Sequence, residues 1–198
     1  MKNLLSMLGF LFMLTLLSSC GGDSKEAQKG MKALQGIKDI ASNAGNVDEQ
    51  QKALEEMSPL SGDDFLEWAP ASVIGLPKKQ STEKVLAFEK YNYSGYNTYY
   101  KENGKSIQLE VFDGAGSNVY RRYASMLSTD AMNQERENYY EKNIERDGMM
   151  VNEWYDSKNN ASGLLFIIQD RFVVSIKADG FSPDEVWDNL EDFKLDEL

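Results

Sequence analysis

Few side chains in this sequence could carry catalysis, and the gaps narrow the choices. The 198 residues include no histidine and a single cysteine, Cys20. Without histidine there is no Ser-His-Asp or Cys-His nucleophile activation, no histidine zinc site and no imidazole acid–base chemistry. With one cysteine there is no Cys₄ metal site and no intramolecular disulfide. Serine–lysine and two-carboxylate mechanisms remain open on paper. Ser125 and Ser128, however, have no lysine at helical spacing. The acid clusters Asp63/Asp64, Asp184/Glu185 and Asp188/Glu191/Asp192 fall where helix caps and polar helix faces are expected. Solvated surface is the reading that follows for them.

Two loops invite a ligand reading. Asp113-Gly114-Ala115-Gly116-Ser117-Asn118 joins an expected strand to an expected helix, where phosphate sites occur. It lacks both the third glycine of a dinucleotide fingerprint and the Gly-Lys-Ser of a P-loop. Asp156-Ser157-Lys158-Asn159-Asn160 carries some oxygen ligands for calcium. Lysine stands at a ligand position, though, and glycine is missing at the sixth position. Neither loop implies a cofactor or a metal.

Tyrosine is the stronger signal. Tyr91, Tyr93, Tyr96, Tyr99 and Tyr100 fall within ten residues. Tyrosine suits half-buried sheet surfaces, so strand propensity is one explanation. A contact surface for a glycan or a protein is the other, because tyrosine is enriched at interfaces. In a strand Tyr91 and Tyr93 share a face, while Tyr99 and Tyr100 point to opposite faces.

The elements that must position these groups begin with a leader. Lys2 is the only charge before an apolar run from Leu4 to Leu17, which ends in Leu17-Ser18-Ser19-Cys20. The run is short for a spanning helix, which needs about 20 apolar residues, but it has the three parts of a secretory signal. The Leu-Ser-Ser-Cys segment resembles the lipobox of bacterial lipoproteins. That resemblance implies cleavage before Cys20 and acylation of its thiol. Removing residues 1–19 removes one lysine and no acid. The net charge then goes from −11 to −12, with 20 basic against 32 acidic residues. A chain this acidic is repelled by nucleic-acid backbones and anionic lipid.

Gly21 to Glu26 has the composition of a tether. A helical pattern follows in Ala27, Met31, Leu34, Ile37 and Ala41, and Asp48 can cap a second helix with Ala53, Leu54 and Met57 on one face. Ser61-Gly62-Asp63-Asp64 caps a turn carrying Phe65, Leu66 and Trp68, and Val73, Ile74 and Leu76 enter the core. From about residue 82 the period changes to two. Strands are expected over 85–93, 96–101, 106–112, 139–146, 149–155, 164–168 and 172–178, with Asn103-Gly104, Asp147-Gly148 and Gln169-Asp170-Arg171 as turns. Ser117 begins a helix bearing Val119, Tyr123, Met126 and Leu127. Ser182-Pro183-Asp184-Glu185 is a capping box for a closing helix with Val186, Trp187, Leu190 and Phe193.

Tight turns make neighbouring strands antiparallel. The fold class expected is α+β: a mainly antiparallel sheet of about seven strands covered by helices, preceded by an N-terminal helical segment. The division is a signal peptide over 1–19, a tether and N-terminal helices over 20–58, and an α+β domain over 59–198. The order of strands, helix, strands and closing helix over roughly residues 70–198 resembles the PsbP-like α-β-α sandwich, on topology alone. That resemblance implies an accessory or assembly role more than catalysis.

The expectation for function is a non-catalytic protein of the bacterial cell envelope, lipid-anchored at Cys20, in the outer rather than the inner membrane. It binds or supports an envelope protein. Two alternatives stand beside it: a ligand- or glycan-binding module using the tyrosine hairpin, and an enzyme with a carboxylate mechanism.

Overall fold

Tight turns set the register of the sheet. Asn103 and Gly104 have φ of 50° and 81°, and Asp147 and Gly148 have 50° and 83°. Paired left-handed residues of this kind make the turn whose twist matches the strands. They join β4 (Tyr93–Glu102) to β5 (Lys105–Asp113) and β7 (Tyr139–Arg146) to β8 (Met149–Asp156). The computed structural model describes residues 47–80, 83–88 and 93–198. The expected signal peptide, Cys20, the tether, the helix over 27–41 and Tyr91 lie outside these residues.

The remaining strands of the sheet are β3 (Lys84–Phe88), β6 (Gln134–Arg136), β9 (Ala161–Ile168) and β10 (Phe172–Asp179). The order is β3-β4-β5-β10-β9-β8-β7-β6, and every neighbouring pair is antiparallel. This sheet has eight strands rather than about seven. The additional strand, β6, is Gln-Glu-Arg and has no apolar alternation to reveal it. Its pairing with β7, from Gln134↔Glu141 to Arg136↔Tyr139, makes it a strand. A separate two-stranded ribbon pairs β1 (Ser72–Val73) with β2 (Leu76–Pro77).

Alternation then divides the sheet into two faces. One presents Tyr96, Tyr100, Leu109, Val111, Val174, Ile176, Phe166 and Val151, all buried. It is covered by α2 (Gly62–Trp68), by the ribbon, by α4 (Pro183–Trp187) and by 3-10 turns at Leu190–Phe193 and Leu195–Glu197. Both covering helices start at the capping boxes read from sequence, Ser61 with Asp64 and Ser182 with Glu185. Phe65 and Trp68 turn inward, while Leu66 remains 43% exposed.

Among the described residues, the opposite face is covered over only part of its area. Helix α3 (Val119–Leu127) packs Val119 and Tyr123 against Phe112, Val173, Leu165 and Ile167. Asn118 rather than Ser117 occupies its N-cap, with no side-chain bond, although the Ser117 hydroxyl accepts from Val119 N at 3.4 Å. Its C-terminus is held by a strand residue. The amide of Asn143 donates to the carbonyls of Met126, Leu127 and Thr129.

Helix α1 (Val47–Glu55) buries Gln51 and Leu54; of the face expected over Ala53, Leu54 and Met57, only Leu54 is buried. The helix ends before Met57, which is 43% exposed. Gln51 earns its place with polar bonds: its amide nitrogen donates to Ser117 O at 2.7 Å and its oxygen accepts from Arg121 N. Gly116 N also donates to Leu54 O at 2.7 Å. These contacts cross the boundary expected between residues 58 and 59.

Candidate functional site

Strand alternation separates the tyrosines. Tyr96 and Tyr100 point into the covered face and are fully buried. The Tyr96 hydroxyl donates to Glu83 at 2.6 Å and that of Tyr100 to Pro70 O at 3.1 Å. Burial first, and then the Glu83 carboxylate, push both phenols well above their ordinary range. Burial acts to raise Glu83 itself, but bonds from Lys78 and Tyr96 outweigh it and hold that carboxyl low. Tyr96 and Tyr100 are therefore core residues, unavailable to a ligand. Tyr99 points the other way and is 38% exposed. Tyr93 lies in β4. Tyr96 and Tyr100 therefore do not share a surface with Tyr99.

The two buried acids are also accounted for. Asp113 accepts two bonds from Arg171, at 2.8 and 2.7 Å, and one each from Leu60 N and Ala115 N. Its carboxylate thus fills the glycine loop from within. Two further amides of that loop, Gly114 N and Gly116 N, donate to Arg171 O and Leu54 O, so the loop offers little to a phosphate. Glu153 lies on the apolar parity of β8. It is partnered by the Tyr140 hydroxyl and by Arg146, which also reaches Asp184 at 2.8 Å. Burial, then the bond to Glu153, raises the Tyr140 phenol. Sequence reading missed this cluster because Glu153 sits where alternation calls for an apolar residue. Asp156 accepts from Lys158 N, Asn159 N and the Asn159 amide. The Asn159 side chain leads in holding its carboxyl low. That loop is an Asx turn.

What the structure does assemble is a cleft of ≈ 260 Å³ on the partly covered face, beside α3. Leu165, Ser175 and Trp154 form its floor, Phe112 and Tyr123 one wall, and Glu110, Glu141, Asn152 and Lys177 the polar groups around it. Two pairs of rings stiffen it. Phe112 and Tyr123 stack with centroids 6.4 Å apart and planes 5° apart, and Tyr139 stacks with Trp154 at 6.4 Å and 23°.

The indole of Trp154 has a built seat. Trp154 pairs with Gly163 across β8 and β9. A Cβ at Gly163 would overlap the indole atoms Nε1 and Cε2, so the ring lies on the glycine backbone. No periodicity rule marks this residue. The signal in the sequence is a tryptophan on the polar parity of one strand facing a glycine on the next, and it is legible only once the register is known.

Glu110 and Glu141 do not form a carboxylate pair. Glu110 belongs to β5 and Glu141 to β7, four strand spacings apart or about 19 Å along a flat sheet. Each is held by the strand beyond it. Asn97 on β4 donates to Glu110 at 2.6 Å, and Gln134 on β6 donates to Glu141 at 2.8 Å. Both carboxylates are drawn outward, leaving between them a floor with one cation, Lys177. Among the described residues, Lys177 has no ion-pair partner. Among the described residues, too, no three histidine, cysteine or acidic side chains gather as metal ligands, and no helix is long and apolar enough to cross a membrane.

No family model, curated protein or solved structure matches this chain.

Proposed function

We propose that this chain is a non-catalytic lipoprotein of the bacterial cell envelope. It is anchored by acyl chains on Cys20, and its α+β domain binds an envelope partner through the partly covered sheet face. One observation carries the reading. Among the described residues, the same strands are sealed by helices, ribbon and 3-10 turns on one side, but carry on the other only α3, with α1 against it, and an open cleft. A sheet face left half uncovered beside aromatic side chains is where a partner gains most from docking. The acids around that face are drawn apart by neighbouring amides, which favours binding over a two-carboxylate reaction. The lipobox-like Leu17-Ser18-Ser19-Cys20 supplies the anchor. Helices on both faces of an antiparallel sheet agree with the α-β-α layering that the PsbP-like resemblance implies.

Two measurements test the proposal. Metabolic labelling with a fatty-acid analogue marks the parent protein and not Cys20→Ser; label retained by the variant overturns the anchor. A photo-crosslinking residue at position 99, on the partly covered face, captures an envelope protein in living cells, whereas one at position 66, on the opposite side, does not. Capture from position 66 alone overturns the choice of face.

A further inference from the structure

We infer that the cleft beside α3 binds one ring of a neutral saccharide, stacked on Trp154 and bonded by Lys177 and Ser175. The inference rests on the partly covered face being the binding face, and it names what that face recognises.

Size and shape come first. At ≈ 260 Å³ the cleft lies just below the ~300 Å³ at which pockets for ordinary small ligands begin. It suits a single ring-sized unit, open at one side to the rest of a chain. Its apolar lining includes three aromatic rings, Phe112, Tyr123 and Trp154. Trp154 is seated on Gly163 and braced by Tyr139, and Tyr123 is braced by Phe112. Rings held this way present area without losing rotamer freedom on binding. A pyranose offers a matching surface, with C–H groups across one face and hydroxyls around its edge.

The polar groups choose between ligand charges. Glu110 and Glu141 oppose an anion, while Lys177, which has no carboxylate partner among the described residues, opposes a cation. A neutral polyol meets neither repulsion. Each hydroxyl both donates and accepts, so it can accept from Lys177. Ser175 can do either. Bonds to charged groups are the stronger ones, which suits a ligand with no charge of its own.

The test uses the full chain in detergent. Trp68 and Trp187 are buried and Trp154 is half-buried, so an added ligand acts on the Trp154 indole resonance and emission. Methyl β-glucoside and N-acetylglucosamine are the neutral probes, with glucuronate and 1,5-diaminopentane as charged controls. A saturable shift with a neutral probe at millimolar concentration is expected, with the charged controls at least tenfold weaker. Trp154→Ala abolishes binding. Lys177→Met, an exposed position that leaves packing intact, weakens it several-fold and serves if Trp154→Ala does not fold. No shift with either neutral probe at tens of millimolar overturns the inference, as does tighter binding of a charged control. Binding undiminished in Lys177→Met overturns the assigned contacts. A protein captured from position 99 without any saccharide response leaves the docking face standing and removes only the saccharide.

Discussion

The two faces of the eight-stranded sheet are made by the same strands, one residue out of phase, yet they are finished differently. On the covered face, Phe166 is fully buried and meets Trp187 edge-on at 5.8 Å, and the charged residue Glu153 is paired with Arg146 and Tyr140. On the other face, one step along the same strand, Leu165 is only partly buried, and polar groups remain around an open cleft. The covered face pairs its buried charge from within, and Thr98 Oγ1 and Ser162 Oγ are the buried side-chain atoms there without a hydrogen-bond partner among the described residues. The partly covered face keeps groups that a ligand can satisfy. A sheet of this kind separates a sealed surface from an accessible one by parity alone.

The largest effect that could break the comparison is on packing. Phe166→Ala should lower stability by about 3–5 kcal/mol through lost transfer energy and a cavity. Leu165→Ala should cost only about 1–2 kcal/mol, because less area leaves the core. Denaturant midpoints at constant slope measure both. Equal losses would show that the faces are packed alike.

Next comes the outer brace of α3. A chain beginning at Ser58 should still fold through the covered face but lose on the order of 3 kcal/mol, since Leu54 and the Gln51 bonds go with α1. Amide exchange should quicken in α3 before α4. Full loss of the fold would make α1 part of the core that both faces share.

A smaller effect is expected where the strands hold the helix directly. Asn143→Ala removes the donor to three carbonyls at the end of α3, together with the acceptor for Asn152. A loss of about 1–2 kcal/mol is expected, with a change in Tyr123 fluorescence or its NMR signals. Unchanged Tyr123 signals would mean that the cleft wall does not depend on this cap.

The smallest effect lies at the β9–β10 turn and has the opposite sign. Gln169 and Asp170 both sit at positive φ, 52° and 47°, and burial raises the Asp170 carboxyl above its ordinary 3.8. Between the unfolded and folded pKa values the folded state binds more protons, so stability falls as pH rises through that window. At neutral pH the charge is therefore a penalty. Asp170→Asn should be modestly more stable than the parent at pH 7, with the gap closing as pH falls from the raised folded value toward 3.8 and gone below it. A variant less stable at pH 7 would mean that the carboxylate has a compensating role.

Much of the fold was legible because its signals are local. Asn103-Gly104 and Asp147-Gly148 specify turns by backbone conformation, and the two capping boxes specify helix starts through bonds spanning three residues. Alternation in Ile107, Leu109 and Val111 identified the covered face of β5. The misses share a cause. Strand β6 exists through pairing rather than composition, and Gln51 is buried because it satisfies backbone groups more than sixty residues away.

The candidate site was less legible. Tyrosine content pointed to Tyr96 and Tyr100, but alternation alone does not say which parity the helices cover, and those two rings fell on the covered side. Trp154, Gly163, Lys177 and Glu110 are spread over four strands, and their meeting depends on the register of β8 on β9 and of β10 on β5. The sequence by itself determined the turns, the capping-box starts of α2 and α4, the period of the strands and the absence of histidine and thiol chemistry, because each is a property of neighbouring residues or of composition. Tertiary structure decided which face is sealed, where the acids are drawn and what lines the cleft. Those outcomes depend on long-range pairing that no local pattern encodes.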